Sequence, residues 1–144
     1  MGRLITLMKG SAIVWPMTRD AVHAPAAPAA VGPYSHAVRH GELLFLSGQA
    51  PLHPKTGTVV EGGIEAQTRQ VLANLEAVLT ASGATFDDVV KANIFLTDLD
   101  DFRAVNAIYA ERFTEPYPAR TTIGVAGLPL GITVEIELVA RVPR

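Results

Sequence analysis

Arg120 stands behind Pro118-Ala119 and directly ahead of the short apolar run Thr121 to Val125. A guanidinium issuing from a sheet edge beside a rigid Pro-Ala step is a planar fork. It can hold a carboxylate in two parallel hydrogen bonds, the geometry an amino or keto acid requires. The plainer roles for such an arginine are a structural ion pair or a side chain snorkelling to solvent. Glu135 lies on the next strand-like run, which would bring it beside Arg120 if the two runs form a hairpin pair; a solvated strand carboxylate is its plainer role. Tyr34 and Ser35 after Gly32-Pro33, and Ser47 before Gly48-Gln49, add hydroxyls at strand ends. A buried tyrosine, however, usually only satisfies a core hydrogen bond.

Rival constellations are weaker. The chain has no cysteine, which excludes disulfide frameworks, thiolate zinc sites, iron–sulfur clusters and cysteine nucleophiles, and is compatible with a reducing cytoplasm. His36 and His40 are four apart, but their surroundings are strand-like and do not stack them on a helical face as a metal pair. His23 and His53 fall in loops. Pro54-Lys55-Thr56-Gly57 lacks the full phosphate-loop spacing, Gly124-Val125-Ala126-Gly127 does not meet the dinucleotide fingerprint, and no Gly-x-Ser-x-Gly elbow occurs. Lysines and arginines number 12 against 14 acidic residues, for a formal net charge of −2. Because the basic residues are scattered singly, no stripe faces a phosphate backbone, and nucleic-acid binding is not expected.

The elements that must position these groups follow from length and patterning. At 144 residues the chain fits one domain of the usual ~100–200 residues. With 49% hydrophobic and 18% charged residues it can bury enough apolar surface to offset its ordering entropy. No apolar run approaches the ~20 residues of a membrane-spanning helix. Residues 1–23 read as a tail: Met1 to Arg19 carries no acid, and Ser11 to Trp15 is short for a signal-peptide core. Met17 is an alternative start, and a transit peptide the lesser alternative. Ala24-Pro25-Ala26-Ala27-Pro28-Ala29-Ala30 marks the boundary of a domain over 24–144, whose folded part is expected to begin near Val31.

Gly41-Glu42 between Ala37-Val38-Arg39 and Leu43 to Ser47 predicts a β-hairpin. His53 to Gly57 is a turn, and Thr58-Val59-Val60 a short edge segment. Val71, Leu72, Leu75, Val78 and Leu79 recur at helical spacing, predicting a helix over 64–82 with Gly83 as its left-handed C-cap. Val89 to Thr97 is an interior strand. Asp98 or Asp100 caps a second helix through Phe113, with Phe102, Val105, Tyr109 and Phe113 on one face; Pro116 and Pro118 stop it. Thr121 to Val125 is a short strand, and Thr133 to Arg141 alternates with period two, throwing Glu135 and Glu137 to the face opposite Val134, Ile136 and Leu138. The order β-β-α-β-α-β-β gives an α+β domain, two helices covering one face of a mixed sheet. The other face needs burial and no third helix is available, so self-association is the economical outcome, with sites between subunits.

Ala29-Ala30-Val31-Gly32-Pro33-Tyr34-Ser35, Ser47-Gly48-Gln49, Pro54-Lys55-Thr56-Gly57, Pro118-Ala119-Arg120 and Val134-Glu135-Ile136-Glu137 together resemble the Rid/YjgF family of reactive intermediate deaminases, across roughly residues 24–142. The resemblance implies a chorismate-mutase-like fold, a homotrimer, and three active sites between neighbouring subunits. It also implies hydrolysis of 2-aminoacrylate and related enamine or imine acids (2-iminopropanoate, 2-iminobutanoate) to 2-keto acids and ammonia, with neither metal nor cofactor. Carried over by position, Arg120 would bind the substrate carboxylate and Glu135 would order and activate water or relay protons. Tyr34, Ser47, Gly48 and Asn106 would line the pocket. Thr122 stands where many members have cysteine, leaving that position a backbone contact or a hydroxyl hydrogen bond. A non-catalytic trimer that binds a small metabolite, and an endoribonuclease or translation inhibitor, are the alternatives.

Overall fold

The computed structural model describes residues 18–143; Met1 to Met17, expected to be a tail, an alternative start or a transit peptide, lie outside them. One six-stranded sheet runs in the order β1-β2-β3-β6-β4-β5, with β1 over Asp20–Val22, β2 over Ala37–His40, β3 over Leu43–Gln49, β4 over Val89–Leu96, β5 over Ala119–Gly124 and β6 over Val134–Arg141. Helices α1 (Gly63–Ala81) and α2 (Phe102–Arg112) pack on one face.

Local chemistry explains most of these elements. Gly41 turns the β2–β3 hairpin at φ 62°, a conformation that glycine adopts without a Cβ penalty. The α1 stripe Val71, Leu72, Leu75, Val78 and Leu79 is fully buried, each side chain contributing roughly 1.5–3 kcal/mol of transfer free energy. That helix ends as expected: Gly83 has φ 75°, its N–H donates to the Thr80 carbonyl, and Ala84 N–H reaches back to Leu79. The paired bonds satisfy carbonyls the helix leaves open. Asp98 caps a short 3-10 turn by accepting from Asp100 N–H at 2.9 Å, and α2 starts after it. Val105, Tyr109 and Phe113 are buried as the stripe predicts, whereas Phe102 stays partly exposed. Arg69 bridges the helices through a two-pronged bond to Glu111 at 2.6 and 3.2 Å, and Arg112 pairs with Glu76.

Several expectations need correction. The ordered fold does not begin near Val31: β1 pairs with β2 from Asp20, and Ala24 and Ala27 belong to the core. His36 explains why, for Ala24 N–H donates to its Nδ1 at 3.0 Å while its Nε2 reaches the Pro28 carbonyl at 2.8 Å. A 4%-exposed ring thus bolts the proline-rich segment to the sheet. Val59 makes only an isolated bridge to Leu52 instead of an edge segment. Strand β5 begins at Ala119, so Arg120 lies within the strand instead of ahead of it.

The consequential correction concerns strand order. β5 and β6 are not a hairpin pair; β4 lies between them, parallel to β5 and antiparallel to β6. A strand–helix–strand run of this kind closes as a parallel crossover, so α2 carries the chain over the sheet and sets β5 at the far edge. Arg120 pairs with Ala92 and Glu135 with Phe95. The hairpin neighbourhood expected for Arg120 and Glu135 therefore does not exist within one chain.

Candidate functional site

Arg120 shares a sheet face with its register partner Ala92, which is fully buried under the helices. Its guanidinium lies 4.8 Å from the centre of the Tyr109 ring and 5.7 Å from that of Phe102, both on α2. Asn106, Tyr109, Ala110, Tyr117, Pro118 and Arg120 line a cleft of about 340 Å³. Among the described residues Arg120 forms no ion pair with a carboxylate. Thr122, two residues along β5, points to the same face, and its Oγ1 is buried without a hydrogen-bond partner.

Glu135 occupies the opposite face, as the alternation of β6 requires, since Val134 and Ile136 on either side are buried. It lines a second, larger cleft of about 680 Å³ with Tyr34, Ser47, Gly48, Gln49 and Glu137. Burial, and then the charge of Glu137, push the Glu135 carboxyl above its ordinary range. Asn93 Nδ2 donates to Glu137 Oε1 at 3.0 Å and holds it in place. No donor of the described residues bonds Glu135 itself. Ser47 Oγ donates to the Ser35 carbonyl at 2.6 Å, which ties β3 to the Tyr34 loop. Tyr34 Oη accepts from Val31 N–H at 3.2 Å, so its own hydrogen is left to donate into the cleft.

Gly48 acts by what it lacks. A Cβ there would stand 2.2 Å from Glu135 Oε1 and 3.0 Å from its Cδ. Gly48→Ala is therefore expected to displace the carboxylate while costing little stability, because the far end of a side chain can swing. A melting temperature within ~3 °C of wild type, with turnover down about 10²-fold, is the expected result. Unchanged turnover would show that the close approach has no bearing on the chemistry.

The sequence-derived candidates thus fall into two groups. Arg120, Asn106 and Thr122 lie on the helix-covered side near the β5 edge; Tyr34, Ser47, Gly48 and Glu135 lie in the cleft on the open face. Neither cleft contains a residue of the other. The sequence reading missed Tyr109 and Phe102 as neighbours of Arg120. The available signal was that both share a helical face with Val105, each one turn from Val105 and from Asn106 and two turns from each other. His36 and His40 are not brought together as ligands: the first holds Ala24 and Pro28, the second contacts the Thr18 carbonyl. Among the described residues no group of three or more His, Cys, Asp or Glu side chains is placed to hold a metal ion, and no helix is long and apolar enough to cross a membrane.

Comparison with known proteins meets this geometry. A profile of the family described as Endoribonuclease L-PSP matches residues 24–142. The chain is 50% identical over 122 residues to Reactive Intermediate Deaminase A, chloroplastic, of Arabidopsis thaliana, covering 85% of this chain and 65% of that one. It is 46% identical over 116 residues to the 2-iminobutanoate/2-iminopropanoate deaminase of Dermatophagoides farinae, covering 81% and 91%. The solved structure of RidA from an Antarctic Psychrobacter superposes with a TM-score of 0.82 at 44% identity, over 85% of this chain and 99% of that one. Other relatives, such as a Pyrococcus horikoshii protein 44% identical, carry only the name RutC family protein. With a family profile spanning residues 24–142 and relatives of this closeness, the chain belongs to the Rid/YjgF family.

Proposed function

We propose that the protein hydrolyses small 2-imino and 2-enamino acids, such as 2-iminopropanoate formed from 2-aminoacrylate, to 2-keto acids and ammonia. Arg120, the one observation that carries the reading, supports it: an arginine in a cleft, unpaired with any described carboxylate, on a chain whose relatives include named imine deaminases. In this reading Arg120 grips the substrate carboxylate and Asn106 and Thr122 flank it. Glu135 accepts a proton as water adds to the iminium carbon. The resulting tetrahedral carbinolamine takes that proton on nitrogen, its hydroxyl gives a proton back to Glu135 as the carbonyl forms, and the C–N bond breaks to release the keto acid and ammonia, which carries that last proton away as ammonium. An iminium carbon is already electrophilic, so orientation, a placed water and a proton shuttle suffice.

The two groups sit in separate clefts on opposite sides of one sheet, and a reaction that uses both needs two chains. A neighbour's Arg120 cleft set against the Glu135 cleft joins two unlike patches, and such head-to-tail contacts form a ring when their rotation closes. The proposed assembly is a homotrimer. The partly exposed Leu43, Phe45 and Ile123 on the uncovered side of the sheet supply apolar surface for it.

The test is a coupled assay: 2-aminoacrylate is generated from serine by a dehydratase, and keto-acid and ammonia release are compared with and without the protein. No acceleration over the uncatalysed rate, with keto acid bound all the same, would favour a metabolite-binding role.

The raised Glu135 carboxyl carries a further expectation. A base must be deprotonated, so kcat/KM is expected to rise with pH along a limb lying above that of an ordinary carboxylate. Glu137→Gln removes the like charge and shifts this limb to lower pH, most visibly at low salt. A limb that stays where it was would remove Glu135 from the role of base.

A further inference from the structure

We infer that Tyr109 and Phe102 are positioning residues that hold the Arg120 guanidinium over an aromatic bed and leave its hydrogen-bonding edge for the ligand. The inference rests on the proposed role of Arg120 as anion clamp and adds how that clamp is held. A flexible arginine must be fixed before it can orient anything, and the common means is a carboxylate. That solution consumes the N–H donors and the charge that the ligand needs. Among the described residues no acid does the fixing here. The guanidinium lies 4.8 Å from the Tyr109 ring centre and 5.7 Å from that of Phe102, within the range at which a ring's electron-rich face attracts a cation. Aromatic faces offer no lone-pair acceptor, so the donors stay unspent.

The bed is rigid for reasons visible in the packing. Tyr109 is 5% exposed and stacks on Phe113 with centroids 4.1 Å apart at 18°, and Phe113 meets Phe86 edge-on at 5.0 Å. The Tyr109 ring is therefore continuous with the core and lines the Arg120 cleft, while Phe102 is the exposed part of the bed. The Tyr109 hydroxyl is buried with no hydrogen-bond partner among the described residues. With no described bond made through the oxygen, the ring is assigned the function.

The assignment separates three variants. Tyr109→Phe keeps the ring and is expected to rescue most of the loss in KM and in affinity for 2-oxobutanoate, measured by calorimetry, that a leucine at the same position causes. Tyr109→Leu and Phe102→Leu remove a ring each and are expected to raise KM and weaken 2-oxobutanoate binding by about tenfold for Tyr109 and severalfold for Phe102, with kcat within threefold. Phe102 is partly exposed, so its variant folds even if Tyr109→Leu does not. Leucine variants with unchanged KM and binding overturn the assignment, as does a Tyr109→Phe loss equal to that of Tyr109→Leu. Equal falls in kcat and in stability with KM constant would make the rings plain core. A wild type that binds the keto acid but does not turn imines over defeats the proposed enzymatic reading alone, since binding still reads the bed. A wild type that neither binds nor turns over defeats both.

Discussion

Replacing Arg120 by alanine is expected to lower kcat/KM for imine hydrolysis by about 10²–10³-fold, the cost of removing a charged partner from a desolvated carboxylate. The fold should hardly notice. Arg120 is only half-buried on the edge strand β5 and makes no ion pair with a described acid, so its removal orphans no buried charge. Circular dichroism and thermal unfolding close to wild type, together with lost turnover, are the expected pair of results. Arg120→Lys should recover little, since an ammonium is a point charge that cannot form the two-pronged bond and is more strongly hydrated over an aromatic face. An alanine variant retaining full activity would leave the substrate carboxylate without its holder and end the enzymatic proposal.

The second large effect is recovery of activity from two dead proteins. Arg120→Ala and Glu135→Gln each lack one half of the proposed site, and the halves lie in clefts that share no residue. If each working site takes Arg120 from one chain and Glu135 from its neighbour, co-refolding equal amounts allows sites with both groups intact. Random assortment gives one half times one half, about a quarter of wild-type specific activity. Were both groups drawn from a single chain, every site in the mixture would still lack one of them and activity would stay at the level of the inactive parents. Differently tagged subunits, co-purified through both tags, show that mixed assemblies formed before turnover is measured.

How far the site could be read from the chain depends on the range of the forces concerned. The β2–β3 turn at Gly41, the buried stripe of α1 and its end at Gly83 were legible because each depends on neighbours within a turn or a pleat. Period-two alternation likewise placed Glu135 and Glu137 away from the helix side, since successive side chains of a strand alternate faces whatever the strand pairs with. The misjudged features are of another kind. The proline-rich stretch reads as a flexible boundary because composition cannot reveal that a histidine twelve residues on bonds both Ala24 and Pro28. Placing Arg120 beside Glu135 from the sequence assumes that sequential strands pair, which the crossover through α2 denies.

Covalent order alone carries which residue types stand at strand ends, which face of β6 bears carboxylates, and the motifs by which the chain resembles its family. Those properties come from covalent order and local periodicity, and no distant contact can alter them. Only the tertiary structure decided that β4 separates Arg120 from Glu135, that Gly48 makes room for a carboxylate, and that aromatic rings hold the guanidinium. Strand order and close approach follow from burying the apolar faces of all the elements at once, a sum over the whole chain that no single segment contains.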